Sequence, residues 1–111
     1  MTTTVAVRDN PAESRYEVYD PELAGFSVYE FDSGRMAFTH TEVFPAFGGR
    51  GLARRLVASA LEDARRRGLA VLPFCPYVRK VIAENPAAYL DLVRAEDRAR
   101  FGLPEELIVE A

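Results

Sequence analysis

Cys75 is the only cysteine of the chain, and it stands between two prolines in the run Val71-Leu72-Pro73-Phe74-Cys75-Pro76-Tyr77-Val78. A thiol at the start of a helix is favoured as thiolate by the helix dipole, and it can then act as a nucleophile, or as an acid once protonated. Tyr77, two residues on, adds a phenol able to donate a proton. The plainer readings are a small core hydrophobe for Cys75 and a sheet-packed aromatic for Tyr77. His40, the one histidine, reads either as a general base, since imidazole titrates near neutral pH, or as a strand histidine bonded to neighbouring backbone. Glu42 is either a solvent-facing strand residue or a carboxylate for a substrate.

A second stretch, Phe47-Gly48-Gly49-Arg50-Gly51-Leu52-Ala53-Arg54, suits anions. The first N–H groups of a helix lack partners and point along the positive end of its dipole. Glycines let a ligand approach that backbone closely, and arginines add planar forks of donors. Phosphate binding and a simple strand-to-helix turn are both open readings. No Gly-Lys-Ser/Thr follows, so this is no Walker loop. The spacing of Gly48, Gly49 and Gly51 does not match a dinucleotide fingerprint either.

The elements that must position these groups follow from periodicity. Ser14 to Asp20 reads as a strand, Asp20-Pro21-Glu22 as a turn, and Ala24 to Phe31 as a second strand by its alternation. Asp32-Ser33-Gly34 is a hairpin connection leading into a third strand, Arg35 to Val43. Uniform alternation places Met36, Phe38 and His40 on one face of it, and Ala37, Thr39, Thr41 and Val43 on the other. After the glycine loop, Leu52, Leu56, Ala60 and Ala64 recur at helical spacing, and the helix stops near Arg67-Gly68. Leu69 to Phe74 is a buried strand, and Pro76 opens a helix over Tyr77 to Glu84 that Asn85-Pro86 ends. A further helix is expected within Ala87 to Arg100, and the tail beyond it is left unplaced. The expected fold class is α/β: an antiparallel meander followed by β-α-β-α, with helices packed on a mixed sheet.

One domain over residues 1–111 is expected, with its core at about 14–93. Hydrophobic residues at 49% suffice for a core and exclude a disordered composition. One cysteine and one histidine exclude a disulfide framework and a four-ligand Cys/His zinc site. A net charge of −3 argues against a nucleic-acid partner, and Arg65-Arg66-Arg67 reads as the cationic end of a helix. No apolar run is long enough for a membrane span, and the first ten residues lack leader features, so a cytoplasmic setting is expected.

Three pieces together carry a family resemblance: His40-Thr41-Glu42-Val43, the glycine loop, and Pro73-Phe74-Cys75-Pro76-Tyr77. The chain resembles the GCN5-related N-acetyltransferases, in particular a small single-domain branch with a strand-end cysteine. The resemblance covers roughly Tyr16 to Tyr89. Gly51-Leu52-Ala53 supplies the end of the motif Gln/Arg-x-x-Gly-x-Gly/Ala. Gly48 stands where Gln or Arg is usual, and Arg50 is the residue able to restore the charge.

The resemblance implies a truncated acetyltransferase fold binding acetyl-coenzyme A. In that frame Val43 and Phe44 would line the pantetheine, and Gly48, Gly49, Arg50, Gly51, Leu52, Ala53 and Arg54 would hold the pyrophosphate. Cys75, His40 and Tyr77 are the implied catalytic residues. The implied function is acetyl transfer to an amine, small or on a peptide or protein, with a non-catalytic coenzyme-A-binding module as the alternative. The chain is expected to act as monomer or homodimer.

Overall fold

Alternating side chains and short turns make the first half of the chain a meander. In a computed structural model that describes residues 4–107, β1 (Ala6–Asn10), β2 (Arg15–Tyr19), β3 (Leu23–Asp32) and β4 (Arg35–Val43) pair in succession, all antiparallel. The chain then crosses over through α1 (Leu52–Arg66), and β5 (Ala70–Pro73) adds parallel to β4. The sheet order is β1-β2-β3-β4-β5. α2 (Pro76–Glu84) and two short helices, α3 (Pro86–Tyr89) and α4 (Ala95–Arg98), follow. Among the described residues no helix is long and apolar enough to cross a membrane. Residues 1–3 and 108–111, which include the end of the expected tail, lie outside the described residues.

α1 forms where its apolar stripe predicts. Leu52, Leu56, Val57, Ala60, Leu61 and Ala64 are buried, and Arg65 and Arg66 fill the last turn against the negative end of the dipole. Each leucine fully buried on such a stripe contributes on the order of 1.5–3 kcal/mol. The stripe covers the sheet face that carries Tyr16, Tyr29 and Phe38, whose rings pack together. Polar clamps tie the end of α1 to the strands. The Tyr16 hydroxyl donates to Asp63 at 2.5 Å, the Tyr29 hydroxyl donates to Asp9 at 2.6 Å, and Arg67 reaches Asp9 at 3.3 Å. Burial, and then the bond to the Asp9 carboxylate, push the Tyr29 phenol up to about 12.

On the other face Glu17 is almost fully buried and accepts from Tyr19, Asn10 and Arg15, at 2.7, 3.1 and 2.8 Å. Burial alone would raise its carboxyl, but the three donors outweigh that and hold it below the usual carboxylate range. A depressed carboxylate stabilises the fold above its unfolded value, about 4.3, and that stability is lost as pH falls through the folded value. The unfolding midpoint should therefore drop on acidification below about pH 4.3. Glu17→Gln should make that drop shallower; an identical acid profile in the variant would show that Glu17 is not the group responsible.

Four expectations change. β1 is an additional strand: its five residues are mostly polar and it lies at an edge, so it carries little apolar alternation. The expected Leu69–Phe74 strand is shorter, Ala70–Pro73, with Phe74 exposed. The helix expected within Ala87–Arg100 is present but short: α3 and α4 span four residues each, and the 3-10 turn Leu90–Leu92 between them buries Leu90 and Leu92 without helical spacing. His40 does not share a face with Met36 and Phe38. Val28 pairs with His40 and Tyr29 with Phe38, so Thr39 is an extra residue on β4. Such a bulge breaks the period of two and turns His40 to the face opposite α1. The tail left unplaced contributes Phe101 and Leu103, both buried, and α4 before it supplies Asp97, which pairs with Arg35 at 2.7 Å.

Candidate functional site

β5 pairs with β4 only from Arg35 to Phe38. The Cys75 N–H closes that seam on the Phe38 carbonyl at 2.8 Å. Beyond it Thr39 to Val43 run on without a β5 partner, because the chain leaves β5 at Pro73 and turns into α2, with Pro76 as its first residue. The Thr39 bulge adds twist at the same point. The two parallel strands therefore splay, and the opening lies between the end of β4, the start of α1 and the first turn of α2.

The glycine loop forms one wall. Pro45–Phe47 make a 3-10 turn, and Gly51 then takes φ +70° as the residue before α1. The first helical bond is that of Arg55 N–H to the Gly51 carbonyl, so the N–H groups of Leu52, Ala53 and Arg54 have no acceptor within the helix. A Cβ on Gly49 or Gly51 would meet nothing within 4 Å, so the space above this backbone is free. The loop borders a pocket of ≈ 160 Å³ lined by Val43, Phe47, Tyr77 and residues 48–54. That volume suits a fragment such as a diphosphate rather than a whole coenzyme, which agrees with an open groove continuing along the splay.

The structure places the expected site residues as follows. Val43, Gly48, Gly49, Arg50, Gly51, Leu52, Ala53 and Arg54 line the pocket together; Phe44 stands just outside it, its N–H bonded to the Ala24 carbonyl at 2.8 Å. Tyr77 lines the same pocket. Cys75 is buried, with its Sγ 3.4 Å from the Thr41 hydroxyl. Thr41 lies two residues inward from Val43 along β4, about 7 Å by strand rise, so the thiol sits at the inner end of the opening. Thr41 in turn meets the Ser27 hydroxyl at 2.9 Å. His40 is exposed and stacks near Phe26, with ring centroids 6.0 Å apart. It projects from the face opposite Thr41, so β4 separates the imidazole from the thiol. Among the described residues no His, Cys, Asp and Glu cluster could hold a metal.

The profile of the family described as GCN5-related N-acetyl-transferase matches residues 15–92. The chain belongs to this family. The acetyltransferase match runs from the start of β2 to the end of the Leu90–Leu92 turn, and so takes in the splay, the glycine loop and Cys75. Among curated relatives, Protein NATD1 of Bos taurus is 37% identical over 60 residues, covering 53% of this chain and 53% of that protein. Protein NATD1 of Homo sapiens matches at 37% over 60 residues with the same coverage, 53% and 53%. The Xenopus tropicalis protein matches at 40% over 47 residues, covering 42% of this chain and 43% of its own. The chain spans about half the length of the curated relatives it matches. A GCN5-like protein from Staphylococcus aureus, solved by NMR, shares the fold with a TM-score of 0.63 at 22% identity, over 84% of this chain and 91% of that one. The family read from the three motifs and the mixed α/β acetyltransferase fold are thereby established.

Four residues at this candidate site are not among those expected from sequence. Phe47, at the head of the glycine-loop motif, lines the pocket; Thr41 meets the thiol and the Ser27 hydroxyl; and Asp20 holds Arg50 at 2.9 Å. Thr41 lies inside the His40–Val43 motif and could have been found there; Asp20 lies 30 residues from its partner, in a turn. Arg79 folds back onto the carbonyls of Pro73 and Phe74, at 3.3 and 3.1 Å, and so fixes the strand end.

Proposed function

We propose that the chain is an acetyl-coenzyme-A-dependent N-acetyltransferase with an amine as acceptor. The observation that carries this reading is the uncapped N-terminus of α1, whose free N–H groups and two arginines face a pocket at the β4–β5 splay. Leu52, Ala53 and Arg54 N–H and the Arg50 guanidinium would hold the diphosphate. Val43 and Phe44 would guide the arm inward, and Tyr77 would close the side next to α2. Acetyl-coenzyme A supplies an acetyl group activated as a thioester. Cys75 stands at the inner end, buried away from water and within reach of the Thr41 hydroxyl, which fixes where the thiol lies.

A second reading is a coenzyme-A-binding module without turnover. One observation favours it: the side chains lining the pocket include no carboxylate and no imidazole, so no evident base waits there for an ammonium proton. His40 is open to solvent but on the other face of β4, from which an acceptor amine would have to come around the strand end.

Thermal unfolding with and without acetyl-coenzyme A, read together with intact protein mass, separates these readings. A ligand that binds only the folded chain stabilises it by mass action, by about 2.7 kcal/mol at a hundredfold excess over Kd, and so raises the midpoint. We expect such a rise in the wild type. Gain of one acetyl group, absent in Cys75→Ala, would make Cys75 the acceptor of the acetyl; a midpoint rise with no mass gain would leave it as pocket wall. No rise at saturating ligand would end both coenzyme readings.

A further inference from the structure

Of the two arginines at the glycine loop, Arg50 alone has a side-chain hydrogen bond among the described residues, and Arg54 has a loose ion pair. Arg54 lies 3.8 Å from Glu84, and both side chains are half exposed. Arg50 donates from Nη1 to Asp20 Oδ2 at 2.9 Å, and its guanidinium carbon lies 5.2 Å from the Phe47 ring centroid. Asp20 directly follows β2 at the turn into β3, its own N–H bonded to the Glu22 carbonyl at 2.8 Å. Its side chain is only 4% exposed, and its Oδ1 has no partner among the described residues. A buried carboxylate with an orphan oxygen weakens a fold, and an apolar residue there would serve stability better. The pairing with Arg50 offsets part of that cost.

We propose that Asp20 is the positioning residue of the coenzyme site: it fixes Arg50 across Phe47 so that the guanidinium stands ready at the glycine loop for the diphosphate. This rests on the coenzyme reading above. Flanked by Gly49 and Gly51, both at positive φ with open space around them, Arg50 has no side-chain neighbours of its own on the loop to order it. Asp20 and Phe47 supply that order from the β2–β3 turn and from the 3-10 turn. Asp20 binds one guanidinium nitrogen, and Nε and Nη2 have no protein partner among the described residues. Two nitrogens carrying three N–H donors thus remain for phosphate oxygens, in the planar geometry that suits them.

The test is coenzyme A affinity in Asp20→Ala, Asp20→Asn, Arg50→Ala and the Asp20→Ala/Arg50→Ala double variant, with the unliganded unfolding midpoint of each. Asp20→Ala leaves a half-exposed guanidinium free to take up water, so the variant is expected to fold. It should weaken coenzyme A by about tenfold, Arg50→Ala by a similar factor, and the double variant no more than Arg50→Ala alone. Asp20→Asn keeps an acceptor oxygen and should bind as the wild type does; it also serves if the alanine variant fails to fold. Binding by Asp20→Ala at least as tight as wild type, or losses that multiply in the double variant, would overturn the proposal while leaving the coenzyme site intact. A wild type that does not bind coenzyme A would remove the site reading and this one with it.

Discussion

Gly25→Ala should lose at least about 3 kcal/mol of stability, a large part of what a domain this size holds. Gly25 sits opposite Val43 in the β3–β4 ladder. A Cβ built there would lie 2.3 Å from the Glu42 carbonyl oxygen and 2.9 Å from the Val43 Cα. Both are backbone atoms and cannot rotate away, so either the ladder opens or β4 shifts. Glycine in a strand often marks such a close approach. The position matters because Val43 is where β4 delivers the chain to the glycine loop, and the Phe44 N–H is anchored next door on Ala24. The unfolding midpoint should fall by more than about 10 °C. Coenzyme affinity should fall in whatever folded fraction remains. A loss below about 1 kcal/mol would mean that β3 and β4 separate here more easily than their register suggests.

The second large effect is on binding, with little on folding. Gly51→Glu should abolish the midpoint rise with acetyl-coenzyme A. At φ +70° a residue other than glycine carries strain of roughly 1–2 kcal/mol, but its Cβ meets no protein atom within 4 Å, so the fold survives. A carboxylate at the start of α1 even gains from the helix dipole. That carboxylate then occupies the place an anion would take. Gly68, at the far end of α1, is the control: it has φ +69° and the same open surroundings. Gly51→Ala and Gly68→Ala should lower the unliganded midpoint alike, while Gly68→Ala leaves the ligand response untouched. A Gly51→Glu chain that still responds fully would move the coenzyme off this loop.

Much of this architecture is legible in the sequence, and the exceptions have physical causes. α1 was legible because its apolar residues keep one period over four turns. The glycine loop is legible as the break between strand and helix because three glycines fall within Gly48–Gly51. The face of His40 was not, since one extra residue at Thr39 reverses every side chain after it, and a bulge leaves no mark in an alternation read one strand at a time. β1 was missed because Arg8, Asp9 and Asn10 hide an edge strand. Residues 87–100 bury apolar side chains through short turns, which have no period to detect. Asp20 was invisible because its partner is remote in sequence and no motif joins them.

The strand order has a consequence for when the site exists. β1 to β4 follow one another across the sheet, so each pairing closes a short loop and needs little of the chain in place. The β4–β5 join is different: it must wait for the whole of α1 to be laid down between them. The pocket and Cys75 stand on that join. During folding the hairpins of the meander can therefore pair before the seam does, because the seam closes the longer loop. A chain with its β-hairpins already paired could thus have no site at all, and a ligand that bridges α1 and α2 would act as the clasp that makes the last piece of the fold permanent.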